Sequence, residues 1–156
     1  RLVDCPAPEG AVPIVNVHFK LDSPQSAPGA PRFLGLVGGT AHWIFLRERL
    51  ASVTVSNAGR LAAQDNGTIA AQCWADVARA LDLPADPQPP ARVIIEKRAT
   101  FLQTPENVAR RPGPRIGVAN LALAGDWTDT GLPATIEGAV RSGFAAAGVA
   151  QTMIAA

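Results

Sequence analysis

Residues 120–143 read NLALAGDWTDTGLPATIEGAVRSG. The apolar run 121–124 predicts a short buried strand, and residues 125–132 predict a polar turn after it. Such a strand would deliver Gly125 and Asp126 at its carboxyl end, which is where ligands bind in layered α/β folds. The stretch therefore predicts a ligand site at the end of a strand.

A helix from Pro133 to about Ile154 is predicted to follow the turn. Pro133 suits its first position, because the N–H that proline lacks would have no partner there. The free N–H groups of residues 134–137 would then point out of the helix start and favour negative charge. Small residues follow on this helix: Gly138, Ala139, Ser142, Gly143, Ala145, Ala146 and Ala147. A glycine inside a helix costs roughly 1 kcal/mol relative to alanine, which close approach to a sheet or a flat cofactor would offset. The alternative is a tightly packed helix beside an acidic loop that binds nothing.

The β-rich part of the chain lies before this stretch. Alternating or β-rich runs joined by short turn-like links predict four strands in an antiparallel meander, over residues 14–21, 33–37, 42–46 and 51–56. One face of such a sheet can carry a cavity.

An amphipathic helix is predicted over residues 68–81, with Asn66 or Thr68 as its cap and Pro84 after its end. A further strand is predicted over residues 92–101, and residues 110–115 read as a proline-containing loop.

Composition excludes some classes of function. The 156 residues are 47% apolar and 17% charged, with a formal net charge of +1. A packed core is therefore expected, either as one domain or as parts of two interleaved ones. The arginines are scattered apart from Arg110–Arg111, which argues against a nucleic-acid partner. Cys5 and Cys73 have no metal-binding or disulfide spacing and indicate reduced thiols in a cytoplasmic protein.

Neither a metal site nor a membrane span is predicted. His18 and His42, the two histidines, lie near no other ligand-type side chain in the sequence, whereas a metal site needs three or four ligands. No apolar run reaches the about 18 residues needed to cross a bilayer.

The run LALAGDWTDTGLPATIEGAVRSGFAAA, residues 121–147, resembles the C-terminal FAD-binding motif of the flavin amine oxidase and phytoene desaturase superfamily. The segments PIVNVHFKL, GLVGGTAHWIF, SVTVSNA, KRATFLQTPE and RRPGP resemble, in the same order, the squalene-associated desaturases of hopanoid synthesis. This resemblance implies a mixed α/β fold with two parts. Residues 1–105 would be part of a mainly antiparallel substrate domain, and residues 106–156 the C-terminal segment of an FAD-binding Rossmann-like domain.

The resemblance implies cofactor-binding roles but names no catalytic side chain. In the family pattern, Asp126 accepts hydrogen bonds from the ribityl or pyrophosphate region of FAD, and Gly125 lets the cofactor approach the backbone. The helix-start amides would lie near the flavin pyrimidine edge. The matching positions are Gly125, Asp126, Trp127, Leu132, Pro133, Thr135, Ile136 and Glu137, and Thr128 is also placed beside the cofactor. For Glu137 an ion pair with Arg141 is the structural alternative.

The family's N-terminal G-x-G-x-x-G motif is absent, since Gly35-Leu-Val-Gly38-Gly39 has the wrong spacing. With a first residue other than Met, this predicts a C-terminal part of a longer protein, one that binds FAD weakly or not at all without its Rossmann half.

The implied activity is that of an FAD-dependent oxidoreductase acting on a polyisoprenoid, such as the reductive dehydroxylation of hydroxysqualene to squalene. Another superfamily activity (amine oxidase, protoporphyrinogen oxidase or carotenoid desaturase) stays open, as does a noncatalytic binding module. A hydrophobic isoprenoid substrate further implies a cytoplasmic protein in peripheral contact with the inner membrane.

Four aromatic side chains, Phe33, Trp43, Phe45 and Phe101, fit either a protein core or a hydrophobic wall for an isoprenoid chain. A core position is favoured for them. For His42, a plain strand position is favoured over contact with substrate.

Overall fold

The computed structural model describes residues 5–25 and 32–155. The chain divides into two compact units, one comprising Val12–Ala99 and the other comprising Arg1–Ala11 with Thr100–Ala156. The units divide at residue 99, a few residues before the predicted domain boundary at 105. The assignment of the two parts to a substrate domain and an FAD-binding domain stays a prediction.

The Val12–Ala99 unit is built on a five-stranded sheet of order β2-β3-β4-β1-β5. Its strands are β1 Val12–Lys20, β2 Phe33–Gly35, β3 Trp43–Arg47, β4 Leu50–Val55 and β5 Ala91–Thr100. The pairs β2–β3, β3–β4 and β1–β4 are antiparallel. The Lys20 amide donates to the Pro90 carbonyl, which places the end of β1 beside the start of β5. The predicted mixed α/β fold with an antiparallel sheet is confirmed.

The order of the strands differs from a simple meander. Strand β1 pairs with β4 rather than with β2, and the register sets Val17 opposite Val53 and Phe19 opposite Ala51. All four residues are fully buried. Because side chains alternate between the two faces of a strand, this register buries the apolar face of both strands together.

Helix α1, Asn66–Leu81, packs its apolar side on this sheet, with Ile69, Cys73 and Val77 fully buried. The predicted caps Asn66 and Thr68 are wrong. Asp65 is the cap, because its backbone is extended and its carboxylate accepts hydrogen bonds from the Thr68 amide at 2.9 Å and hydroxyl at 2.6 Å.

The second unit contains helices α2, Pro105–Ala109, and α3, Ile136–Ile154. Helix α2 was not predicted, although Thr104 and Pro105 are a readable cap and first-turn residue. Within this helix, the Asn107 side-chain amide donates to the carbonyls of Glu9 at 2.9 Å and Leu102 at 2.7 Å. This contact ties residues 5–11 to the unit.

Two predictions around the central stretch are wrong. The strand over residues 121–124 is reduced to a single bridge between Arg115 and Ala122, because no described strand lies beside it to form a ladder. Helix α3 begins at Ile136 rather than Pro133, because Thr135 has an extended backbone and caps the helix.

Among the described residues, no helix is both long enough and apolar enough to cross a membrane.

Candidate flavin-binding turn

Gly125 opens the turn with a backbone φ of +145°, which favours glycine. The Trp127 indole packs directly against it. A β carbon at residue 125 would lie 2.5 Å from the indole Nε1. A side chain at this position would therefore strain the backbone and displace Trp127.

Ser142, a buried residue of α3, holds the start of the turn against the helix. Its hydroxyl accepts a hydrogen bond from the Gly125 amide at 2.8 Å and donates to the Ala139 carbonyl at 2.6 Å. From the sequence, Ser142 is recognisable only as one of the small residues of the helix. A contact over 17 positions in sequence leaves no local signal that would have revealed it.

Thr128 stabilises the turn through hydrogen bonds to Gly125. Its amide and its hydroxyl both donate to the Gly125 carbonyl, at 3.1 Å and 2.8 Å, and the residue is 2% exposed. The Thr128 hydroxyl is thus used inside the turn rather than presented to a cofactor. The next residue, Asp129, donates its amide to the Pro112 carbonyl at 2.8 Å.

Arg111 is a second side chain that holds this turn and that the sequence did not reveal. Its Nη1 donates to the Leu132 carbonyl at 2.6 Å, and its Nη2 donates to the carbonyls of Asp126, at 3.1 Å, and Thr128. The guanidinium carbon also lies 5.6 Å from the centre of the Phe101 ring. The only available signal was the Arg110–Arg111 pair in the proline-containing loop.

The start of α3 follows the turn. The Thr135 hydroxyl accepts the Gly138 amide at 3.1 Å. Within the described part of the chain, the amides of Ile136 and Glu137 have no protein acceptor. Ile136 is 86% exposed. The helix start therefore presents two backbone donors at the positive end of the helix dipole.

The ion pair considered as the alternative for Glu137 is present. Arg141 Nε lies 2.7 Å from Glu137 Oε1, and both side chains are mostly exposed. Such a pair does not prevent the second carboxylate oxygen from accepting another hydrogen bond.

The predicted cofactor-binding residues lie on one continuous segment of structure. Three of them, Gly125, Asp126 and Trp127, begin the turn, Leu132 and Pro133 end it, and residues 135–137 start α3. The Asp126 side chain is half-buried, and its carboxylate has no hydrogen-bond partner among the described residues. The segment thus combines a free carboxylate acceptor with free backbone donors, which suits a ligand carrying both hydroxyl groups and negative charge.

In the Val12–Ala99 unit, the predicted core position is wrong for three aromatic residues. Together they form an exposed aromatic row. Phe33, Trp43 and Phe45 are 59%, 44% and 42% exposed, and the Phe33 ring lies 6.3 Å and 6.4 Å from the other two. Their strands alternate, and the opposite face of the sheet is the one that packs in the core. In the other unit, Phe101 is buried, as predicted.

Each of the two histidines is hydrogen-bonded to a serine. His18 Nδ1 is hydrogen-bonded to the Ser52 hydroxyl at 2.9 Å, and His42 Nδ1 accepts the Ser56 amide at 3.2 Å. His42 stands just before β3 rather than within it. No group of three or more His, Cys, Asp or Glu side chains that could hold a metal ion occurs in the residues described.

Comparison with known proteins gives consistent matches over most of the chain. Three curated relatives are named hydroxysqualene dehydroxylase. Those of Sinorhizobium fredii and Rhodopseudomonas palustris are 48% and 47% identical over 88% and 86% of this chain. The third, from Zymomonas mobilis, is 44% identical over 94% of this chain.

These matches cover 32%, 31% and 34% of the relatives, so the chain spans about a third of their length. The sequence profile of the family described as flavin containing amine oxidoreductase matches residues 7–150. The chain therefore belongs to the flavin-containing amine oxidoreductase family.

Proposed function

We propose that this chain is part of an FAD-dependent oxidoreductase that reductively removes the hydroxyl group of hydroxysqualene to give squalene. The observation that carries the proposal is the shared name of three relatives that are 44–48% identical to this chain. Their names favour this reaction over amine oxidation, protoporphyrinogen oxidation and carotenoid desaturation.

The turn and the start of α3 fit an FAD molecule. The Asp126 carboxylate, which has no partner among the described residues, is available to accept hydrogen bonds from a ribityl chain. The free amides of Ile136 and Glu137 can donate to the flavin pyrimidine edge. Trp127, Leu132, Pro133 and Thr135 complete this surface beside Gly125.

When bound, FAD would supply the hydride for this reaction, and the hydroxyl group would leave as water after taking up a proton. The residues of this chain bind and orient the cofactor. The positive end of α3 stabilises additional negative charge at the helix start, which favours reduction of a group bound there.

The exposed aromatic row supports a polyisoprenoid substrate. Phe33, Trp43 and Phe45 place three neighbouring rings on one face of the sheet, where a hydrocarbon chain could bury them from water. Beyond the row, on β1 and β4, the Thr54 hydroxyl donates to the Asn16 side chain at 2.7 Å. This face thus offers an apolar part and a polar part, which matches a long hydrocarbon bearing one hydroxyl group.

Helix α3 has an exposed apolar side that a further part of the cofactor-binding domain could cover. Ile136, Val140 and Phe144 are 86%, 50% and 77% exposed, and their spacing of four residues puts them on one side of the helix. We propose that the N-terminal Rossmann half of the same protein covers this side and binds the ADP part of FAD.

Titration with FAD tests these proposals. We expect the complete gene product to bind one FAD with a shifted flavin absorption spectrum, and the 156 residues alone to bind weakly. A complete product without bound FAD would contradict the flavin assignment and favour a noncatalytic module. Tight stoichiometric binding by the chain alone would contradict the need for a Rossmann half.

The substrate proposal is tested by incubating the holoenzyme with hydroxysqualene under reducing conditions and detecting squalene by mass spectrometry. Replacing the three exposed rings by serine should raise the KM for hydroxysqualene more than it lowers kcat. The Val108→Ser variant, which alters an exposed apolar residue of α2, is the control. Activity on an amine or a carotene, with none on hydroxysqualene, would favour the other superfamily reactions.

We also propose a cytoplasmic location with peripheral contact to the inner membrane, because isoprenoid substrates partition into bilayers. Co-sedimentation of the complete protein with anionic liposomes is the expected result. Protein that stays in the supernatant would contradict the membrane contact.

A further inference from the structure

Arg111 holds both ends of the turn. Its two terminal nitrogens donate to the Asp126 carbonyl at the start and to the Leu132 carbonyl at the end, with Thr128 between them. The planar guanidinium has donors spread over a rigid fork, so it can serve several carbonyls at once. A single side chain therefore sets the spacing of the two ends.

The charge of Arg111 has no anionic partner among the described residues. The ion pairs there are Arg79–Asp76, Arg110–Glu9 and Arg141–Glu137. Arg111 instead lies against carbonyl dipoles and over the Phe101 ring. Its Nε is shielded from solvent and donates to no acceptor in this part of the protein.

Such an arrangement is costly if it only closes a turn. Arg111 is half-buried, and its shielded Nε lacks the acceptor that would compensate the loss of its hydrogen bonds to water. A bound anionic group near the guanidinium would supply an acceptor for this donor and balance the charge of Arg111.

The hydrogen bonds from Arg111 also orient the peptide bonds of the turn. In a trans peptide the carbonyl and the following N–H point to opposite sides. Because the Asp126 carbonyl is directed to Arg111, the Trp127 N–H is directed away from it. The carbonyl of Leu132 belongs to a peptide bond with Pro133, which carries no N–H.

We propose that Arg111 is a positioning residue for the flavin cofactor: it holds the turn in its cofactor-binding conformation, and the negative charge of FAD balances its own. This inference rests on the proposed function. It adds a residue outside the turn and outside α3 to the machinery that binds the cofactor.

The test compares FAD binding by the complete protein and its Arg111→Lys, Arg111→Met and Arg110→Met variants. Lysine keeps the charge but lacks the planar fork, so R111K separates the geometry from the charge. Arg110 is the matched control, because it is adjacent in sequence and its partner is the exposed Glu9 carboxylate. Dissociation constants come from quenching of flavin fluorescence, and the Tm of each apoprotein is recorded alongside.

We expect R111K to weaken FAD binding about tenfold, the effect of losing one hydrogen bond to a charged group. R111M should weaken it further and lower the flavin reduction potential, whereas R110M should bind like the wild type. Added guanidinium chloride at low millimolar concentration should partly restore FAD binding to R111M, and equal potassium chloride should not. If R111M does not fold, the FAD dissociation constant of R111K by itself tests the inference.

Equal affinity for FAD in R111K, R111M and wild type, with only the Tm lowered, would overturn this inference and leave Arg111 a structural residue. A wild type that binds no FAD would instead overturn the proposed function together with this inference. The two failures are therefore distinguishable.

Discussion

Gly138 lies so close to the end of the turn that a β carbon on it would stand 2.9 Å from the Pro133 carbonyl oxygen. It would also lie 3.4 Å from the hydroxyl of the helix cap Thr135. The missing side chain thus allows the first turn of α3 to pack directly under the segment that precedes it. Gly143, on the same helix, has no neighbouring atom within 4 Å of such a β carbon.

This contrast predicts opposite effects for two identical substitutions. Gly138→Ala should lower the free energy of unfolding by about 1–3 kcal/mol, because the added methyl group forces the turn outward. Gly143→Ala should raise it by about 0.5–1 kcal/mol, since alanine is the better helix former and meets no obstacle. Urea unfolding followed by circular dichroism measures both, and a stabilised G138A variant would contradict the close packing.

Glu137 and Arg141 form an exposed pair one helical turn apart. We expect Glu137→Gln and Arg141→Gln each to change the free energy of unfolding by at most about 0.5 kcal/mol. In the complete protein, E137Q should weaken FAD binding and R141Q should not, because only Glu137 belongs to the proposed cofactor surface. Equal effects of both variants on the FAD dissociation constant would indicate that the pair is purely structural.

Cys73 is buried in the core of the Val12–Ala99 unit. Burial, with a smaller contribution from the negative charge of Asp76, raises the pKa of its thiol from 9.0 to about 11. The thiol therefore stays protonated at pH 8 and should resist iodoacetamide in the folded chain but react in urea. Its contribution to stability is present below pH 9.0 and is lost as the pH rises through about 11.

Peptide mapping by mass spectrometry measures the alkylation of Cys73 directly. Equal rates in native buffer and in urea would show that the thiol is accessible, against its burial beneath the sheet.

Asp65 makes the cap of α1 sensitive to acid. Hydrogen bonds from the Thr68 hydroxyl, and then from its amide, hold the pKa of the Asp65 carboxyl below its ordinary value of 3.8. A lowered pKa stabilises the folded state above pH 3.8, and this stabilisation is lost as the pH falls through the lower, folded-state pKa.

The Asp65→Asn variant is the matched comparison, because asparagine caps a helix but does not titrate in this range. The Tm of the wild type should fall relative to that of D65N only below pH 3.8. A constant difference between the two from pH 7 to pH 2 would contradict the role of the ionised carboxylate.

Local patterns in the sequence are enough to predict much of the fold. Alternation of apolar residues predicts β1 and β4, and the helical period predicts α1, because each pattern reflects a repeat of the backbone itself. The residues of the turn and of the helix start are also readable, through their resemblance to a family motif. The site combines a carboxylate with the free amides of a helix start that follows it closely in the sequence. Both features depend on residues that are near one another in the chain, so they can be predicted without the tertiary structure.

The tertiary structure alone decides how those elements are held. It pairs β1 with β4, leaves Phe33, Trp43 and Phe45 exposed, and brings Ser142 and Arg111 to the backbone of the turn. The sequence contains Arg111 but not its partners, because those partners are backbone carbonyls, which every residue possesses. Which carbonyls a guanidinium meets depends on the path of the chain through space, and that path is set by the packing of the whole unit.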